Sequence, residues 1–190
     1  MDDAIGEILN LLDQYEIADN TLVIFFSDNG GGSGADNQPL TGQKAMLHEG
    51  GIRVPCIVRY PGIIPQGTVC HEFLTSLEIL PTLLNVADLP LPQETILDGF
   101  DMMPVITGHR ESPRIEMFWQ RRNDKAARVG RWKWVESDQG NGLFNLEDDI
   151  SESNDLSTSH PEKLMEMKQH FARWQEKMEA AEARGPFRDY

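Results

Sequence analysis

Cysteine is scarce. Cys56 and Cys70 are the two in 190 residues, too few for a disulfide framework. Cys56 stands in the apolar run Cys56-Ile57-Val58 and reads as a buried free thiol. No apolar run approaches the roughly 18 residues of a membrane span. The first residues, Met1-Asp2-Asp3, carry neither the basic nor the apolar stretch of a signal peptide, so no compartment is named. Basic side chains are also short: 17 Lys and Arg against 31 Asp and Glu leave a net charge of −14. That balance argues against a nucleic acid or an anionic membrane as partner. Hydrophobic residues at 39% and aromatics at 8% allow a core without surplus. The length suits one domain, or one with a small appendage. No Asn-x-Ser/Thr sequon, internal repeat or low-complexity tract is present.

What the chain does have is a sequence of recognisable elements. Ile5, Ile8, Leu9, Leu12 and Tyr15 recur at helical spacing and predict an amphipathic helix over residues 2–17. Residues 21–26 are an almost unbroken β-branched and aromatic run, the pattern of a strand buried on both faces. Residues 54–60 read as a second buried strand closed by Pro61-Gly62. Residues 75–86 read as a helix with Ser76 as N-cap and a break at Pro81. The proline-rich stretch 88–114 reads as mostly irregular. Beyond it, residues 115–120, 126–129, 132–135 and 143–146 alternate as short strands. Ser159-His160-Pro161-Glu162 then has the form of a capping box. It opens a helix whose apolar stripe is Leu164, Met167, Phe171, Trp174 and Met178, a core face.

The chemistry concentrates where the first strand ends. Ser27-Asp28-Asn29 is followed by Gly30, Gly31, Gly32 and Gly34, at the end of a strand where open α/β sheets place ligands. Asp28 offers a carboxylate and Asn29 a carbonyl oxygen, ligands for a hard cation such as Ca²⁺ or Mg²⁺. Two oxygens are too few to hold either ion unaided. Without other signals such Asx-Gly clusters are ordinary turns. The glycines do not fit a dinucleotide fingerprint, because Ala35 breaks it, nor does Gly42-Gln43-Lys44 form a P-loop. Glu147-Asp148-Asp149 through Asp155 lacks the ligand alternation of a calcium loop and reads as a solvated acidic turn.

Taken in order, Ser27-Asp28-Asn29-Gly30, Gly42-Gln43-Lys44 and Glu49-Gly50-Gly51-Ile52-Arg53-Val54-Pro55 resemble the second half of the type I, formylglycine-dependent sulfatases of the alkaline phosphatase superfamily. Tyr60-Pro61-Gly62, Leu80-Pro81-Thr82, Asp98-Gly99-Phe100 and Leu143-Phe144-Asn145-Leu146 continue the likeness over nearly the whole chain. The resemblance implies an α/β fold. A partial alkaline-phosphatase-like sheet with flanking helices would occupy residues 1–112, the C-terminal part of the catalytic domain. A small antiparallel sheet packed on a long helix would occupy residues 113–190 as a C-terminal α+β subdomain. It further implies Asp28 and Asn29 as metal ligands, Ca²⁺ with Mg²⁺ as alternative, and Lys44 as a ligand of the sulfate oxygens. Glu49 and Arg53 are expected to pair and hold the loop, and Gly50 and Gly51 to supply a backbone conformation closed to other residues. The family has an aromatic residue where His48 stands, so no catalytic role passes to His48.

Several features that the resemblance implies are missing from this sequence: the family's N-terminal Asp-Asp metal pair, the Lys and His residues it places before the Ser-Asp-Asn-Gly strand, and its nucleophile. The nucleophile, made from Cys or Ser in C/S-x-P-x-R, has no match: Cys56 precedes Ile-Val-Arg, Cys70 precedes His-Glu-Phe, and Ser112-Pro113-Arg114 has its proline one place early. Hence the expectation is the C-terminal half of a sulfuric ester hydrolase, inactive alone, with its exposed sheet covered by self-association or by exchange of elements. The rivals are a phosphonate monoester hydrolase or phosphodiesterase of the same superfamily, which Asn29 disfavours, and a non-catalytic anion- or partner-binding module.

Overall fold

A computed structural model describes residues 1–181. Two compact units emerge, one from Met1–Phe26 with Pro55–Arg114, the other from Ser27–Val54 with the chain from Ile115 onward. In the first, helix α1 (Asp2–Gln14) leads through a 3₁₀ turn at Ala18–Asn20 into strand β1 (Val23–Phe26). β1 pairs antiparallel with β2 (Cys56–Arg59), Ile24 opposite Val58 and Phe25 opposite Ile57.

Neither strand is enclosed as its composition suggested. Phe25 is 36% exposed, Phe26 39% and Ile57 63%, because among the described residues no further strand lies beside this pair. Cys56 is correspondingly an exposed free thiol, not a buried one. α1 is amphipathic in sequence yet buries no residue.

Helix α3 (Ile79–Val86) follows a 3₁₀ turn at Ser76–Glu78, so the break expected at Pro81 appears as a tight first turn. Proline has no N–H to give the preceding turn. The N-cap is Thr75 rather than Ser76: its hydroxyl accepts from the Leu77 N–H, and Glu78 Oε2 accepts from the Thr75 N–H at 2.5 Å. A hydroxyl one residue earlier reaches the free N–H groups of that turn, which Ser76 inside it does not. Glu78, with no exposed surface, also receives Nε of Arg114 at 2.9 Å and pairs with its Nη2. Thr82 donates to the Glu78 carbonyl and accepts from the Met102 N–H, tying α3 to α4 (Met103–Ile106).

The second unit has the orthodox core. Strands β3 (Glu116–Arg121), β4 (Asp124–Val129), β5 (Trp132–Glu136) and β6 (Gly142–Asn145) form an antiparallel meander in sequence order. Alternation sends side chains to opposite faces. Phe118, Ala127, Trp134 and Leu143 meet Met167 and Phe171 of α5 (Pro161–Ala180). Phe118 stacks on Trp174 at 5.5 Å, and Phe171 meets Trp134 edge-on at 5.6 Å. Ala126, Val135, Phe144 and Leu146 gather with Leu47. The sheet is thus buried on both sides, by a helix and by the glycine-rich loop.

α5 departs from expectation at its ends. His160 is its N-cap without a side-chain bond, and Ser159 instead donates to the Leu156 carbonyl. Pro161 at the first position already removes one unpaired N–H. Met178 is 45% exposed, so the apolar stripe ends at Trp174.

Candidate functional site

The segment from Ser27 to Val54 lies wholly in the second unit. Asp28 is exposed and Asn29 half-buried just past the end of β1. The Gly30 N–H donates to the Gly51 carbonyl at 2.9 Å, and the Lys44 N–H donates to the Gly31 carbonyl at 2.9 Å. These two backbone bonds bring the acid-amide pair, the lysine and the Glu-Gly-Gly turn into one knot. Asn37 stitches it further, accepting from the Gly31 N–H at 3.0 Å and donating to the carbonyls of Gly31 and Gly42. Lys44 itself is exposed; a methyl group placed on Gly32 would lie 3.9 Å from its Cβ.

Among the described residues no group of three or more His, Cys, Asp or Glu stands together to hold a metal ion. The hard oxygens of Asp28 and Asn29 suit Ca²⁺ or Mg²⁺, but Ca²⁺ takes about six to eight ligands and Mg²⁺ about six. The pair therefore fits as part of a site and not as a whole one.

Gly50 and Gly51 sit in the short helix α2 (Glu49–Ile52). Neither has positive φ, so the expected reason for glycine there is corrected. The constraint is closeness. A Cβ on Gly30 would fall 1.8 Å from the Gly50 carbonyl oxygen, on Gly50 2.5 Å from that of Gly42, and on Gly51 2.1 Å from that of Met46. No side chain fits any of the three.

The expected Glu49–Arg53 pair is present, Oε2 to Nε at 2.5 Å. It is the outer edge of a network the sequence did not disclose. Glu49 Oε1 lies 2.8 Å from Nζ of Lys133, which has no exposed surface. The same ammonium lies 2.9 Å from Glu152 Oε1, and Glu152 Oε2 accepts the Glu49 backbone N–H at 2.6 Å. Lys133 is buried because it alternates with Trp132 and Trp134, which turn to α5; it faces the loop with Val135. The Trp-Lys-Trp spacing was the one signal for it, since Glu49 and Glu152 are far away in sequence.

Two carboxylates share one ammonium, and they titrate apart. Burial pushes Glu49 upward, but the charges of Lys133 and Arg53 and their hydrogen bonds outweigh it and hold Glu49 below the ordinary carboxylate range. For Glu152 burial wins over Lys133, so its carboxyl is raised. His48, also buried, has Nδ1 without a hydrogen-bond partner and packs against Phe144 at 6.2 Å between centroids. Burial, then the nearby charge of Lys133, lowers its pKa.

The acidic turn is self-satisfied: Asp149 accepts from Ser151, Ser153 and the Asn154 N–H. Burial acts against these bonds, yet they hold its pKa down at about 2.

The fold pairs an α/β unit with a meander-and-helix unit, and comparisons with known proteins show what it is similar to. Residues 1–89 match the family model described as Sulfatase. Human steryl-sulfatase is 41% identical over 118 residues, covering 57% of this chain and 20% of the relative. The solved structure of Ps i-CgsB superposes with TM-score 0.82 at 34% identity, over 91% of this chain and 40% of that one. PsFucS1 sulfatase from Pseudoalteromonas sp., at 24% identity, shares the fold with TM-score 0.75 over 94% of this chain and 41% of that one. The chain is thus similar to sulfatases, by the family model over residues 1–89 and by relatives and solved structures beyond them. It spans a fifth of the length of the steryl-sulfatase it matches and about two fifths of these solved structures.

Proposed function

We propose that this chain is the C-terminal portion of a sulfuric ester hydrolase, and that Asp28, Asn29 and Lys44 form its share of the anion site. The observation that carries the reading is the knot at Gly30, Gly31, Gly51 and Lys44, which draws three separate sulfatase-like motifs together through backbone bonds. Asp28 and Asn29 would contribute oxygens to Ca²⁺, or Mg²⁺, completed by groups outside this chain. Lys44 would lie against a sulfate oxygen, neutralising charge that grows as the ester bond breaks. When present, the cation polarises the sulfate and the formylglycine hydrate supplies the attacking oxygen; this sequence has no residue in the motif that yields formylglycine. Every other contribution here is binding and orientation.

In an enzyme containing this segment and the remainder of the sulfatase fold, Lys44→Ala should lower kcat/KM for an aryl sulfate by about 10²–10³-fold. A variant as fast as the parent would overturn the assignment of Lys44. The isolated 190-residue chain should not turn over aryl sulfate at all, and activity by the purified chain would overturn that part. Faster hydrolysis of phosphate or phosphonate esters by the complete enzyme would favour the rival within the superfamily. Tight calorimetric binding of Ca²⁺ and sulfate by this chain alone would favour a stand-alone binding module.

The domain assignment goes with this reading: residues 1–112 to the catalytic α/β domain, residues 113–190 to the C-terminal subdomain. For partners, a sulfate ester is the substrate of the complete enzyme. No described helix is long and apolar enough to cross a membrane. The open β1–β2 pair and the uncovered face of α1 favour a second copy, or exchanged elements, over them. A monodisperse monomer in light scattering would remove that proposal.

A further inference from the structure

We infer that Lys133 and Glu152 are positioning residues for the anion site: acting through Glu49, they clamp the turn that sets Lys44 and Asn29. The inference rests on the reading of Asp28, Asn29 and Lys44 given above.

Each link of the clamp is on hand. Lys133 on β5 and Glu152 beyond β6 seize both the carboxylate and the backbone N–H of Glu49. Glu49 opens α2, whose Gly50 N–H donates to the Thr41 carbonyl at 2.7 Å and whose Gly51 carbonyl accepts from Gly30 at 2.9 Å. Thr41 stands just ahead of Gly42-Gln43-Lys44, and Gly30 directly follows Asn29. A displacement of Glu49 is thus passed in one direction toward Lys44 and in the other toward Asn29. The missing Cβ atoms at Gly30, Gly50 and Gly51 let the backbones touch, so little slack lies in between. The helix-facing side of the sheet has no part in this path; Trp134 and Leu143 pack on α5 instead.

Among the described residues Lys133 is also the sole ammonium in the fully buried large side chains, which fits a role that an apolar residue would not serve. A methionine there would fill the volume but strip the buried Glu152 of its ammonium and leave Glu49 with Arg53 alone at the outer edge. The expected response is release of the loop while the helix-side packing stays closed.

The test is hydrogen exchange read by mass spectrometry on the whole 190-residue chain. Lys133→Met should speed exchange across residues 27–47 by about tenfold or more, with α5 and β3 at parent rates. Lys133→Arg, which keeps the charge, should restore most of the protection. Uniform acceleration over both faces would show a merely structural lysine and overturn the inference, as would unchanged rates in 27–47. Should Lys133→Met not fold, Glu152→Gln gives the same reading more gently: faster exchange confined to 27–47 supports the clamp, and parent rates there overturn it. These rates report on the loop whatever Lys44 binds. Failure of the sulfatase reading would show separately, as a Lys44→Ala enzyme of undiminished activity.

Discussion

The two units each close around a buried ionic contact, and they differ in what surrounds it. In the first, which contains the Glu78–Arg114 pair, few apolar side chains are enclosed: Ala18, Met102, Met103 and Val105. In the second, Lys133 sits beside a sheet packed on both faces, with Leu143, Val135 and Met167 fully shielded. The first unit meanwhile leaves Ile8, Leu11, Tyr15, Phe25 and Ile57 exposed. An ion pair of this kind fixes which groups meet without supplying the bulk of the free energy, which comes from apolar area removed from water. The second unit therefore has its own reason to fold, and the first has specific contacts with little apolar reward.

Truncation should expose that contrast most strongly. Phe171→Ala, deep against Trp134 and Phe118, should cost about 3–5 kcal/mol in urea unfolding. Leu11→Ala on α1, 46% exposed, should stay within about 0.5 kcal/mol. Equal costs would erase the distinction between the units. Next in size, Glu78→Gln puts a neutral group at a fully buried position against the nearly buried Arg114, and should cost about 3 kcal/mol. Its exchange protection should fall across 75–114 and not in β4–β6; a loss spread through both units would mean that they unfold as one.

A smaller effect concerns acid. His48 is held neutral by burial and by Lys133, so its folded-state pKa lies below the unfolded value of 6.5. Below 6.5 the unfolded chain takes up a proton that the native chain refuses, so this residue's stabilising contribution shrinks as pH falls, until the folded pKa is passed. His48→Phe should flatten that part of the stability–pH curve, measured by urea midpoints. An unchanged slope would locate the titration elsewhere. The mildest probe is thiol labelling. Cys56 and Cys70 should both react with an aromatic disulfide in native buffer, as exposed thiols. Protection of Cys56 alone, rising with protein concentration, would mark a copy lying over β2.

Legibility in the sequence follows the same division. β3 to β6 and α5 could be read because each satisfies its own period inside one enclosed core: Phe118 and Trp134 alternate, and Met167 and Phe171 share a helical face. The strands at 23–26 and 56–59 were equally apolar, and there composition misled. Hydrophobicity states what a strand could bury, not what stands beside it. Glu49–Arg53 was legible as neighbours one helical turn apart, while Lys133 and Glu152 join Glu49 only through the tertiary fold. The Thr75 cap turned on one residue of register, a choice made by which hydroxyl reaches the Leu77 N–H.

The glycine seam bears on which substitutions this chain can accept. At 30, 50 and 51 even an alanine would drive its methyl into a peptide oxygen well inside van der Waals contact. Gradual adjustment by ever larger residues is therefore closed off along this line. Neighbouring positions such as Ser33 and Gln43 face solvent, so substitutions there meet no such barrier, and variation is easier beside this line of close backbone contacts than along it.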